Sequence, residues 1–136
     1  MTRALTYDST GLLVRAERDG ALVLENRNPA SFDPGGIAFT DVPGSVVDGR
    51  DADFFEASME NTGANALQYQ VFGAPVDVAA AYESLSGTIV VAAGVLNTFR
   101  ATRDEASHRF FKVQVRRNAA GLAITYALRE FAKGPG

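Results

Sequence analysis

Residues 53–73 read DFFEASMENTGANALQYQVFG. Phe55, Ala57 and Met59 alternate with Phe54, Glu56 and Ser58, and further on Leu67, Tyr69 and Val71 alternate with Gln68 and Gln70. In an extended chain successive side chains point to opposite faces, so each run predicts a strand with one buried face. Asn61-Thr62-Gly63 breaks the first run, because Asn and Gly accept left-handed turn geometry and Asn bonds nearby backbone. Gly73 and Pro75 end the second. The short gap between the runs predicts an antiparallel pair joined by a tight loop.

The same texture continues toward the C-terminus. Gly87 to Ala93, with Thr88, Ile89, Val90 and Val91, is β-branched and ends at Gly94; Leu96 to Ala101 reads as an edge strand with Phe99 inward. Phe111, Val113 and Val115 alternate with Lys112, Gln114 and Arg116; Asn118 to Gly121 supplies a turn, and Ile124, Tyr126 and Leu128 alternate with Thr125 and Arg129. These two runs predict a second hairpin. Val78, Ala81, Tyr82 and Leu85 fall at helical spacing after Pro75 and Asp77, which predicts one or two helical turns between strands. Short strands with regular turn signals and no βα alternation predict an all-β, antiparallel β-sandwich, immunoglobulin-like or jelly-roll-like.

Upstream, Leu12 to Val14 and Leu22 to Leu24 flank Arg18-Asp19-Gly20, the signature of a hairpin. From Asn26 to Arg50 the chain carries Pro29, Pro34, Pro43 and Gly35, Gly36, Gly44 and Gly49, with Ile37 to Phe39 alone looking extended. Such a stretch cannot be a regular helix or a central strand. It predicts an extended arm that lays Phe32, Ile37 and Phe39 on a partner. The expected division is therefore an N-terminal hairpin and arm over 1–50 and a sandwich domain over 51–136.

Composition narrows the function. A chain of 136 residues with 46% hydrophobic content forms one core. A net charge of -3 offers no field for phosphate backbones or anionic lipid, so neither nucleic acid nor membrane is an expected partner. With no cysteine, disulfides and thiolate zinc sites are excluded. The polar start from Met1 to Gly11 lacks the form of a signal peptide, and the mature chain is expected to begin at Met1.

Chemistry is sparse. The single histidine, His108, sits between Ser107 and Arg109 and reads as a strand-edge residue without a catalytic role. Asp48, Asp51 and Asp53 lack the spacing of a calcium loop, and Glu56 and Glu60 lie on the outward side of one strand. Gly35-Gly36 and Gly44 do not lead into a phosphate loop. No catalytic, cofactor-binding or metal-ligating residue is assigned, and no enzyme is expected. Arg100, Arg103, Arg109, Arg116 and Arg117 gather near Phe99 and Phe110, and Arg suits protein interfaces. The interface candidates are Phe32, Ile37, Phe39, Arg100, Arg103, Arg116 and Arg117.

The run Glu60 to Leu67, followed by Phe111 to Arg116 and the turn Asn118 to Gly121, resembles small β-sandwich structural proteins of tailed bacteriophages, over roughly residues 53–131. That resemblance implies a virion location and a capsid decoration (cement) protein binding between major capsid subunits. It equally admits a tail or adaptor component. The implied partners are the major capsid protein or other virion subunits, with a homo-oligomer, trimer or dimer. A carbohydrate- or receptor-binding sandwich is the alternative of a different class; it requires exposed aromatic side chains, whereas Tyr69, Tyr82 and Tyr126 mostly fall on inward positions.

Overall fold

The computed structural model describes residues 3–7, 13–18, 23–49, 52–101 and 108–134, with side chains from Glu25 onward. Its strands are β1 (Arg3–Tyr7), β2 (Leu13–Arg18), β3 (Val23–Arg27), β4 (Thr40–Asp41), β5 (Val47–Asp48), β6 (Phe54–Asn61), β7 (Leu67–Ala74), β8 (Glu83–Ser84), β9 (Ile89–Val91), β10 (Leu96–Arg100), β11 (Phe110–Arg117) and β12 (Tyr126–Lys133). They form two antiparallel sheets. The first runs β1-β2-β3-β12-β6-β10; the second runs β4-β11-β7-β8, with β5 also on β11 and β9 also on β7.

The alternation expected for β6, β7, β11 and β12 is present residue by residue. Phe55, Ala57, Met59, Leu67, Tyr69, Val71, Phe111, Val113, Val115, Tyr126 and Leu128 all face one interior and are almost completely buried. Phe55 and Phe111 stack across it with centroids 4.2 Å apart and planes 5° from parallel. Each of the Phe, Met, Leu and Val side chains among them contributes about 1.5–3 kcal/mol through burial.

The expected strand pairings differ. β6 and β7 lie in opposite sheets, and so do β11 and β12: β6 pairs with β10 and β12, while β11 pairs with β7. Segments 62–66 and 118–125 are therefore arches over the interior and not hairpin turns. A period-two pattern reads the same in both cases, because inward residues can share a face or meet across a core. From β3 onward the chain winds between sheets in the order β3-β12-β6-β10 over β4/β5-β11-β7-β8/β9, which is the winding of a jelly roll. The immunoglobulin-like alternative is set aside, since that fold pairs its last two strands within one sheet.

Asn61 holds the first arch. It is fully buried; its amide donates to Asn65 O at 2.8 Å and Val91 O at 3.0 Å, and its Oδ1 accepts from Gly63 N at 3.0 Å. Gly63 serves close approach, since a Cβ there would stand 3.1 Å from Thr125 N. The left-handed geometry expected there occurs instead at Gly121 of the second arch, with φ +80°. The Asn65 amide donates across to Ala123 O at 2.9 Å.

The stretch expected as an arm is woven into the sandwich. Its residues form β4 and β5 on β11, and place Val42 and Val47 in the core at 2% and 0% exposure. The expected boundary at residue 50 thus falls between strands that share one interior. Ile37 lies in a bend, and the extended pair is Thr40–Asp41. Between β7 and β8 the expected helix is a single 3-10 turn, Ala79–Ala81. The N-terminal hairpin pairs as expected, Arg15 opposite Glu25 and Glu17 opposite Val23, although its Asp19-Gly20 turn lies outside the described residues. β1, unforeseen, extends that hairpin to a three-stranded ribbon.

The ribbon joins the jelly roll where β3 meets β12, and a polar cluster sits at the seam. Arg27 stands opposite Glu130. Glu130 is fully buried, and neither carboxyl oxygen has a hydrogen-bond partner among the described residues. Burial pushes its carboxyl well above the usual range, against the pull of Arg27 and with the push of Glu25.

Candidate subunit-docking surface

The two ends of the sandwich differ in charge. At one end meet segments 34–38, 62–66, 92–95 and 118–125, none of which contains Asp, Glu, Lys, Arg or His. Backbone and amide bonds tie them together: Gly94 N donates to Asn61 O, Thr62 N to Thr125 O, Asn65 Nδ2 to Ala123 O and Arg117 N to Gly36 O, all at 2.9–3.1 Å. Ile37, Val95, Leu96 and Leu122 stand exposed there, with Val90 on the adjoining β9, each between 45% and 58% exposed. The opposite end carries Asp48, Asp53, Asp77, Glu83, His108, Arg109 and Lys133. There Val76 and Val78, the other exposed large apolar residues among those described, flank Asp77.

This polarity matters for docking. Covering an apolar surface without ionisable groups releases water at little desolvation cost, whereas covering charges requires a matched partner for each. The uncharged end is also held rigid. Asp33 accepts two hydrogen bonds from Arg117, at 2.8 and 2.9 Å, and further bonds from Gly35 N and Ile124 N. The Arg117 bonds outweigh burial and hold the Asp33 carboxyl at about 2. Tyr126 Oη donates to Phe32 O at 2.8 Å and accepts from Phe32 N at 3.1 Å. The Ile37 loop is therefore pinned to both β11 and the 118–125 arch, which limits the entropy lost when a partner docks.

The interface candidates separate. Ile37 belongs to the uncharged end. Phe39 lies under the Arg116 guanidinium at 4.2 Å, and Arg116 Nε donates to Gln68 Oε1 at 2.7 Å. Arg117 and Phe32 are the anchors just described. Arg100 sits on β10 bonded to Glu56 at 2.7 Å, and Arg103 lies outside the described residues. Arg109 is at the charged end, against Asp48 and over Phe110. Arg100, Arg109, Arg116 and Arg117 thus form no common patch; each is engaged within its own chain.

The chemistry-bearing residues are equally local. His108 Nε2 lies 2.9 Å from Glu83 Oε1, and Glu56 and Glu60 face Arg100 and Arg129 outside the first sheet. Among the described residues no group of three or more His, Cys, Asp or Glu could hold a metal ion. Tyr69 and Tyr126 are buried, and the Tyr82 ring lies under Lys112 Nζ at 4.2 Å. Val90, Val95, Leu96 and Leu122 were missed by sequence reasoning. Their signal is the lack of ionisable residues across 61–76, 84–99 and 118–128, but only the winding of the chain brings those segments to one end.

No family model and no curated protein sequence matches the chain. Five chains of solved structures do match. A subunit described under "Bacillus endospore appendages form a novel family of disulfide-linked pili" is 16% identical over 85% of this chain and 88% of its own, with a TM-score of 0.51. A chain from "Structure of infectious bursal disease virus Gx strain" is 11% identical over 98% of this chain and 36% of its own, at 0.49. "Crystal structure of PirA" follows at 15% identity, 81% and 92% coverage and 0.42. At such identities the likeness to the appendage subunit is one of fold alone: a small antiparallel β-sandwich.

Proposed function

We propose that this chain is a non-catalytic virion structural protein of the capsid-decoration (cement) type, which seats its uncharged end between major capsid subunits. The observation that carries the reading is that end: exposed apolar side chains on arches without ionisable residues, pinned through Asp33 and Tyr126. Two further points support it. The run Glu60 to Leu67 resembles that of phage sandwich proteins, and the fold is shared with a subunit of a pilus, itself a repeated assembly. A cement protein needs only weak contacts, because many copies bind one lattice at once. The carbohydrate-binding alternative finds little support, because the tyrosines it needs are buried or covered. A tail or adaptor role would use the same surface and differs in the particle it binds.

Co-expression with the major capsid protein of the same genome tests this. Electron microscopy should show the wild-type chain in symmetric copies, its uncharged end inward. Leu122→Glu and Ile37→Asp should leave a folded protein absent from particles. Full occupancy by both variants would end the proposal, as would specific binding in a glycan screen with no binding to particles.

A further inference from the structure

The edges of the two sheets are not equally protected. An edge strand shows a row of unpaired N–H and C=O groups, and proteins blunt such edges with short strands, bulges, Pro or Lys. In the second sheet β4, β5 and β8 are two residues long and β9 is three. In the first sheet β1 carries a register shift between Thr6 and Tyr7. β10, at the other edge, has none of these devices. It runs unbroken from Leu96 opposite Glu60 to Arg100 opposite Glu56, without Pro or Lys. Among the described residues no strand pairs with its far side.

The direction of its backbone groups follows from the bonds at its ends. Val95 O accepts from Asn61 N and Ala101 N donates to Phe55 O, both at 2.9 Å, so the odd-numbered residues turn toward β6. By the alternation of an antiparallel ladder, Leu96, Thr98 and Arg100 present N–H and C=O outward.

We infer that β10 pairs antiparallel with β10 of a second copy of this chain, joining two first sheets across a two-fold axis at Thr98. The outward groups register with themselves: Thr98 stands opposite Thr98, and Leu96 opposite Arg100 on both sides. The side chains on that face agree. Across the axis the row is Ser58, Thr98, Thr98, Ser58, continuing the Ser58 Oγ to Thr98 Oγ1 contact of 3.0 Å. Each flanking row is Glu56, Arg100, then the second copy's Leu96 and Glu60, so every Arg100 lies between its own acid and an apolar residue and no like charges meet. The stem of Arg100 covers Leu96, which is 57% exposed in the single chain. The contact is isologous and closes as a dimer. It goes beyond the virion reading and does not depend on it.

Sedimentation equilibrium on the full chain tests the pairing without any particle. The wild type should dimerise as concentration rises. Thr98→Lys and Thr98→Asp, which each place like charges opposite across the axis, should weaken the dimer by about five-fold or more, and their equimolar mixture should recover it as a heterodimer. Should either variant melt below the assay temperature, Leu96→Lys, at an exposed position, decides by setting Lys against Arg100. A wild-type chain monomeric up to its solubility limit would overturn the inference. So would folded variants that dimerise as tightly as wild type, or a mixture no tighter than its components.

Discussion

The β1–β3 ribbon and the jelly roll follow opposite rules of assembly. In the ribbon each strand pairs with its neighbour in sequence, β1 with β2 and β2 with β3. In the jelly roll, strands joined by an arch are separated: β6 faces β7 across the core, and the partners of β12 are β3 and β6, far back along the chain. Local turn chemistry can specify the first kind of pairing. The second is specified by which strands can close one interior together, and long loops must be closed before its contacts form.

Deletions should break this contrast most strongly. Removing residues 1–22 takes away β1 and β2 and should leave a cooperatively folding jelly roll. Removing 1–50 also takes Val42 and Val47 from the core, at least about 3 kcal/mol in burial, along with β3 to β5, and should leave a chain without a sharp denaturation transition. Next in size is Phe55→Ala, which unstacks Phe111 and should cost about 3–5 kcal/mol in chemical denaturation.

At the seam between the two regions, Glu130→Leu should raise stability by about 1–3 kcal/mol at pH values above the usual carboxylate range, since it removes a buried carboxyl without a hydrogen-bond partner among the described residues. The sign follows from its raised pKa. Below the usual range Glu130 is protonated folded and unfolded alike; as pH rises the unfolded chain ionises first, and stability falls until the folded pKa is passed. Glu130→Leu should abolish that part of the slope.

Asp33 works the other way. Its carboxyl is held at about 2, so its contribution is present above 3.8 and is lost as pH falls toward 2. Asp33→Asn should cost about 1 kcal/mol at neutral pH, after allowance for solvent screening, and nothing below pH 2. The smallest effect belongs to Leu122→Ser, within about 0.5 kcal/mol of wild type in denaturation. Loss of particle binding in that variant would separate docking from folding.

Much of the fold was legible in the residues. The inward set Phe55, Ala57, Met59, Leu67, Tyr69, Val71, Phe111, Val113 and Val115 and the edge position of β10 follow from alternation and turn residues, as does the N-terminal hairpin from its Asp-Gly signal. The candidate docking surface was legible only in part. Ile37 was singled out for its place in a Pro- and Gly-rich stretch, but Leu96 and Leu122 are 26 residues apart in sequence and became one surface through the arches. Arg100, Arg109, Arg116 and Arg117 cluster along the chain and stand apart in space, because β10 and β11 belong to different sheets and Arg109 lies at the other end of β11 from Arg116 and Arg117.

Alternation and turn residues were enough to specify an antiparallel β-protein with these buried faces, since period two is a property of each strand alone. Which strand lies beside which, that Val42 and Val47 complete the core, and that four segments without ionisable residues meet at one end were settled by packing. A strand's inward face is satisfied equally by a sheet neighbour and by a facing sheet, and only the closed interior tells them apart.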